Sequence, residues 1–387
     1  MLMEEKKEKD TRKAEIEKIM KQRNKEKPLV KWGVDAIKEQ EDNQDYIRTG
    51  ITELDDLLGG GIPTGMIVVF NGPKGSGKTG TCTQMMAEVT QNKQYVLYLC
   101  TEPPLNTKMW KALGVDGDYV IVQTPDDYGE QMVDSIDEFF FDKETRKPKN
   151  LIKLIILDSE NNIVPKSIID KLDKEGAEGS AKMAARATLT TQFLTRIQGR
   201  GYLRNGALCV VVAQVRANMN AGSGHGPETK MAGAEALKHD PKIIINFSGY
   251  PKVDPKTKIV RGIEITWKIS SSEKNNFNSQ YGKGTYTVIP GVGIDDGEML
   301  FNRGVDWGYV VKDKSLGRSG LRILSPDGDR IAKDIGTARE FFKYDEELRI
   351  LMRNLYKNGK PKEAPVSVGF VKQVELPEGV EEDNIDE

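Results

Sequence analysis

An α/β fold, with a mostly parallel twisted sheet covered by helices on both faces, is predicted by three features of the chain. Short apolar runs recur at Ile67 to Phe70, Tyr95 to Leu99, Tyr119 to Gln123, Leu154 to Leu157, Ala207 to Ala213 and Ile243 to Phe247, with helix-compatible stretches between several of them. The first run passes through a glycine-rich turn directly into a helix-compatible segment, Thr81 to Thr90. Further on, Ile263 to Ile269 alternates apolar and polar residues, as a half-buried antiparallel strand does, and Gly284 to Ile289 is its candidate partner.

Taken in order, residues 1–45 form a charged segment in which Ile16, Ile19 and Met20 mark one face of a short helix. That stripe is too narrow to hold a lone helix, so docking on a partner surface is expected. Residues 46–291 form the core. Residues 292–373 read as a small α/β unit with a helix-like stretch from Asp296 to Val311, a strand at Leu321 to Leu324 and a helix from Thr337 to Tyr356. Residues 374–387 form an acidic tail, with seven acids and no base from Glu375 onward.

The composition removes several function classes. A net charge of −2 over 387 residues does not mark the whole chain as a polyanion binder. The three cysteines, Cys82, Cys100 and Cys209, contain no CxxC pair, which excludes a zinc ribbon and a dithiol redox motif. Two histidines are too few for a His-built metal site. No apolar run is long enough to span a membrane and the amino terminus is not signal-like, so a cytoplasmic, reduced setting is expected.

The chemistry starts at Gly72-Pro73-Lys74-Gly75-Ser76-Gly77-Lys78-Thr79, followed by Gly80. This is G-x-x-x-x-G-K-[ST] between a strand and a helix, where backbone N–H groups converge on phosphate oxygens at the positive helix end. Lys78 is expected at the β/γ-phosphates and the Thr79 hydroxyl on Mg²⁺, which makes a nucleoside triphosphate the expected ligand. Leu154-Ile155-Ile156-Leu157-Asp158 supplies a buried strand ending in the acid that orients the metal. At the tip of Tyr95 to Leu99, a strand expected beside the P-loop strand, Glu102 is either the water-polarising carboxylate or an exposed capping residue. Gln214 ends the strand Leu208 to Ala213 and is placed to sense a γ-phosphate. The irregular segment Val215 to Met231 and the polar segment Lys171 to Lys182 read as loops. Their Lys174, Lys182, Arg216 and Lys230 either track a phosphate backbone or are simply solvated.

The order of these motifs resembles the RecA-type recombinase family over roughly residues 46–315. The lead-in from Ile51 to Gly65, taken as strand-like, is similar to the family's, and so are Ala112 to Asp116, Asp158-Ser159 and Ala184-Ala185-Arg186. Most specific is Gly226-Pro227-Glu228-Thr229-Lys230-Met231-Ala232-Gly233, running on to Lys238. The resemblance implies a RecA-like P-loop ATPase core in which Glu102 is the catalytic base, Asp158 the Mg²⁺-associated acid and Gln214 the γ-phosphate sensor. It implies DNA contacts at Lys182, Arg186, Arg216, Glu228, Lys230 and Met231. Lys238, His239, Lys268 and Lys274 would lie at a protomer interface, with the amino-terminal helix docked on the next subunit of a helical filament. ATP and Mg²⁺ are the implied cofactors. Single-stranded DNA and homologous duplex DNA are the implied partners, with loader or single-strand-binding proteins beside them and no membrane.

The sequence departs from the family at three places. Near the strand end that often holds two lysines, only Lys268 and Lys274 are available; Pro290 stands where an aromatic often covers adenine; His239 replaces an aromatic. These mark a divergent member, such as phages or plasmids encode. The alternatives are a helicase-type motor or a regulatory P-loop ATPase acting on a protein partner.

Overall fold

The computed structural model describes residues 2–24, 31–42, 44–102, 105–124, 128–142, 144–145, 149, 151–175, 179–199, 201–203, 206–217, 229–231, 236–253, 260–270, 282–289, 293–357 and 363–374. The chain divides into two compact units at Asp45/Tyr46. The first holds α1 (Leu2–Arg23) and α2 (Gly33–Asp42). Ile16 and Ile19 on α1, and Val34 and Ile37 on α2, are exposed at three-residue spacings. Lys13 lies over the Trp32 ring, and Lys31 pairs with Glu39.

The second unit opens with β1 (Tyr46–Ile47), α3 (Thr52–Leu57) and β2 (Ile62–Pro63). The lead-in taken as strand-like is therefore helical at its centre. Ile51, Leu54 and Leu58 are buried at spacings of three and four, the period of a helix and not of a strand. Alternating strands and helices follow: β3 (Ile67–Gly72), α4 (Lys78–Gln91), β4 (Tyr95–Cys100), α5 (Thr107–Leu113), β5 (Val120–Gln123), α6 (Gly129–Phe140) and β6 (Ile152–Asp158). Next come α7 (Lys166–Glu175), α8 (Gly179–Gly199), β7 (Leu208–Ala217), β8 (Thr229–Met231) and α9 (Ala236–His239). The sheet is completed by β9 (Ile243–Val253), β10 (Val260–Ile269), β11 (Lys283–Ile289) and β12 (Gly293–Asp295).

Among the described residues these strands make one sheet in the order β12-β11-β10-β9-β3-β7-β6-β4-β5, with β8 folded back on β7. From β9 to β5 the pairings are parallel; from β9 to β12 they are antiparallel, with Ile265 opposite Tyr286. The parallel strands are apolar on both faces because both faces are covered. Val68, Phe70, Val96, Tyr98, Leu154 and Ile156 join Met85 and Met86 of α4 in one buried cluster. Val69, Leu97, Leu99, Ile155 and Leu157 join Ile136 and Phe193, from α6 and α8, in the other. Each such side chain withdrawn from water contributes about 1.5–3 kcal/mol.

A third cluster lies beyond the sheet. It joins α10 (Gly297–Asp306), β13 (Val310–Lys312), β14 (Leu321–Ile323), β15 (Arg330–Ala332), α11 (Ile335–Tyr344) and α12 (Glu346–Lys357) through Leu300, Phe301, Ile323, Phe342, Leu348 and Met352. Two expectations need correction here. The stretch from Asp296 is helical only to Asp306 and ends as strand β13, and the helix from Thr337 to Tyr356 is broken at Asp345. Asp345 accepts from Leu348 N at 2.9 Å as the cap of α12 and also receives Arg330 Nε at 2.9 Å. A buried guanidinium needs that carboxylate, so the helix breaks where the ion pair forms.

Asp55, on α3, is buried and accepts from Thr49 N (2.8 Å), Thr49 Oγ1 (2.7 Å) and Gly50 N (3.2 Å). Burial nevertheless pushes its carboxyl up from 3.8 to about 7. The folded chain then binds more protons than the unfolded chain across that interval. The contribution to stability is full below the unfolded value and is lost as pH rises toward the folded one. Asp55→Asn is expected to flatten the decline in urea-unfolding stability over this interval, by about 1 kcal/mol per pH unit. Equal slopes for variant and wild type would clear Asp55 of the effect.

Candidate functional site

The strand β3 delivers the phosphate loop. It is buried to its last residue, Gly72, the surface is reached at Pro73, and α4 starts at Lys78, three residues earlier than the sequence suggested. Gly77 precedes it with φ of 87°, and a Cβ there would come 2.9 Å from Ile265 Cδ1 and 3.1 Å from Tyr286 Oη. Only glycine suits both the backbone and the space. Because Gly77 offers no side-chain cap, the first N–H groups of α4 are left to an external acceptor. Pro73, Lys74 and Gly75 are exposed on the loop; Ser76 is buried and its Oγ donates to Pro73 O at 2.8 Å.

Lys78 is buried, and its Nζ donates to Gly72 O at 2.8 Å and Pro73 O at 2.7 Å. Burial pushes its ammonium down, opposed by the charges of Asp158 and Glu102. Asp158, at the end of β6, is 3% exposed, and burial pushes its carboxyl up against hydrogen bonds from Thr79 and Tyr98. The Tyr98 hydroxyl donates to Asp158 Oδ2 at 3.1 Å. No cluster of three or more His, Cys, Asp or Glu could hold a metal among the described residues. A cation at Thr79 and Asp158 would therefore complete its shell with phosphate oxygens or water, which suits a hard ion bound through few protein oxygens.

Glu102 lies just past β4. The expectation that β4 neighbours β3 is not met: β7 and β6 lie between them, because the chain crosses outward from β3 and fills the gap on its return. Glu102 nevertheless meets the site, through side chains of those intervening strands. Its Oε1 accepts from Ser159 Oγ at 2.6 Å, Asn162 Nδ2 at 2.7 Å and Gln214 Nε2 at 3.0 Å. The backbone supports this arrangement. Thr101 Oγ1 donates to Ser159 O at 2.7 Å and accepts from Ser159 N at 2.8 Å; Asn161 Oδ1 accepts from Gln214 N at 2.7 Å. Sequence reasoning missed Tyr98, Thr101, Asn161 and Asn162. The available signal was the run of polar residues directly after an Asp-ended strand.

The remaining expected residues are more dispersed. The segment Lys171 to Lys182, read as a loop, is mostly helical: α7 runs to Glu175 and α8 starts at Gly179, with 176–178 outside the described residues. Lys182 therefore sits in the first turn of α8. Arg186, one turn on, is half-buried and donates from Nε to Ile163 O at 3.2 Å. The segment Val215 to Met231 begins and ends in strand. Val215 pairs with Met231, Arg216 with Lys230 and Ala217 with Thr229, so an antiparallel ladder brackets residues 218–228. Glu228, Lys274 and Pro290 lie outside the described residues. Lys238 and His239 are exposed on α9, and exposed Lys268 sits on β10 between Asn246 of β9 and Lys283 of β11.

Among the described residues no helix is long and apolar enough to cross a membrane. The model of the RecA N-terminal domain family matches residues 13–295. Protein RecA of Petrotoga mobilis is 31% identical over 294 residues, covering 75% of this chain and 73% of that protein. Protein RecA of Wolinella succinogenes is 28% identical over 305 residues, with 79% and 80% covered. Protein RecA of Rickettsia bellii is 28% identical over 300 residues, with 75% and 82% covered. With that match across most of the molecule, a P-loop on a mostly parallel sheet, and relatives of only about 30% identity, the chain belongs to the RecA family as a divergent member.

Proposed function

We propose that this chain is an ATP-dependent recombinase: a DNA-stimulated ATPase that forms a helical filament on single-stranded DNA and promotes homologous pairing and strand exchange. The observation that carries the reading is the 3.0 Å contact between Gln214 and Glu102. Gln214 sits on β7 one residue before the β7–β8 ladder begins, so the residues that would meet DNA and the group that would drive hydrolysis are joined through one hydrogen bond.

In this reading the N–H groups of Gly75 to Thr79 and the Lys78 ammonium bind the triphosphate of ATP. Thr79 and Asp158 would hold Mg²⁺, whose hard-oxygen preference they fit and which would neutralise charge on the phosphates when bound. Glu102 aligns a water and accepts its proton. Gln214 exchanges Glu102 for the γ-phosphate, so the phosphate state reaches the strand leading into residues 218–228. Arg216, Lys230 and Met231, together with Lys182, Arg186 and Glu228, form the DNA-facing set. Lys238, His239, Lys268 and Lys274 face the neighbouring protomer, on which the amino-terminal helices dock. The unit beyond residue 292, the acidic tail, and any loader or single-strand-binding protein act around this core.

Turnover measured with and without single-stranded DNA, alongside ATP-dependent DNA binding at fixed salt, tests the reading. The expected result is stimulation by about tenfold or more, with binding that weakens steeply as salt rises. ATP hydrolysis indifferent to DNA, with no DNA binding, would instead favour an ATPase that acts on a protein.

A further inference from the structure

Asn162 is exposed and contributes nothing to either core cluster, yet its amide reaches a residue sixty positions away in sequence. The turn that carries it, Glu160–Asn162, is anchored on every side. Glu160 is buried and accepts from Thr190 Oγ1 at 2.8 Å, Asn161 holds the backbone of Gln214, and Ile163 is buried beneath. The amide is thus presented from a fixed base to Glu102 Oε1 at 2.7 Å, the same oxygen that Ser159 and Gln214 address.

These three donors are not equivalent. Gln214 has a second acceptor available in the γ-phosphate of the reading above, and turning to it releases Glu102. Ser159 is held through its backbone by the reciprocal bonds with Thr101, and its hydroxyl stays within 2.6 Å of Glu102 Oε1. After Gln214 leaves, the Ser159 hydroxyl and the Asn162 amide still tie the carboxylate to the β6 turn; the hydroxyl can rotate its proton to another acceptor, whereas the amide N–H can only donate from where its turn holds it. A carboxylate held at one oxygen is restrained in how far it can turn toward a water.

We propose that Asn162 is an amide latch on Glu102, a positioning residue that keeps turnover low until DNA engages the β7–β8 ladder. The latch rests on the ATPase reading, and the full-length chain tests both. Turnover without DNA and at saturating single-stranded DNA is measured for wild type, Asn162→Ala and Asn162→Gln, together with affinity for a fluorescent ATP analogue and thermal melting.

Asn162→Ala is expected to raise DNA-free turnover about fivefold to tenfold, the order of one net hydrogen bond, since the Ser159 hydroxyl remains on the carboxylate. DNA-saturated turnover and analogue affinity should stay within about twofold of wild type, so the stimulation factor falls. Asn162→Gln, which keeps an amide donor, should restore the low DNA-free rate. Structural damage lowers both rates and cannot raise one alone. Should the alanine variant melt early, Asn162→Asp, which removes the donor and repels Glu102, carries the same expectation. DNA-free turnover that stays level or drops in a stably folded variant overturns the latch and leaves the ATPase reading standing. Wild-type protein that binds the analogue but never hydrolyses ATP overturns both.

Discussion

Glu102→Gln is expected to keep ATP binding and lose DNA-stimulated turnover by about 10²- to 10⁴-fold, the range of a general base. The substitution is close to isosteric, and the amide oxygen can still accept from Ser159, Asn162 and Gln214. What it removes is the capacity to take a proton from water. Titration of a fluorescent ATP analogue separates binding from chemistry, and near-wild-type turnover with normal affinity would remove Glu102 from the mechanism. The same variant probes coupling. If the contact with Gln214 transmits nucleotide state to the β7–β8 ladder, ATP-dependent DNA affinity should persist although hydrolysis stops, because binding is retained and only release is blocked.

The phosphate site was legible in the sequence because backbone chemistry dictates it locally. A strand, a glycine with φ of 87° and an uncapped helix start are all specified within residues 67–79. Asp158 was legible for the same reason, as the polar end of a buried strand. Which strands are neighbours was not, since β3 and β4 are consecutive in sequence and yet separated by β6 and β7. Apolar periodicity fixes the face of a strand but says nothing of its place in the sheet. The contacts of Glu102 share this limit: Ser159, Asn162 and Gln214 become its partners only once β4, β6 and β7 lie side by side.

Two readings could have been better from sequence alone. Ile51, Leu54 and Leu58 carried a helical period across the stretch taken as strand-like. Asp345 before Glu346 and Glu347 is an acid-rich helix start that should have divided the long helix. The polar segment around residues 171–182 misled for a physical reason. Polarity marks solvent exposure, and a helix at a surface can be as polar as a loop.

Lys78→Met is expected to weaken ATP binding by on the order of 10²- to 10³-fold, as the loss of one or two charge-assisted hydrogen bonds to phosphate would. Stability should respond differently. Burial already disfavours the ammonium in the folded chain, so a neutral side chain of similar length relieves a desolvation cost even as it gives up the bonds to Gly72 O and Pro73 O. These opposing effects predict a melting temperature within a few degrees of wild type, about 1 kcal/mol either way. Lys78→Arg should not rescue binding. Lys78 is only 6% exposed, and a planar guanidinium lacks room beside the loop carbonyls. Melting curves and analogue titrations on the same preparations decide the matter. Folded protein with unchanged affinity would mean that the loop N–H groups alone hold the triphosphate; loss of affinity with unchanged melting assigns that role to the Lys78 charge.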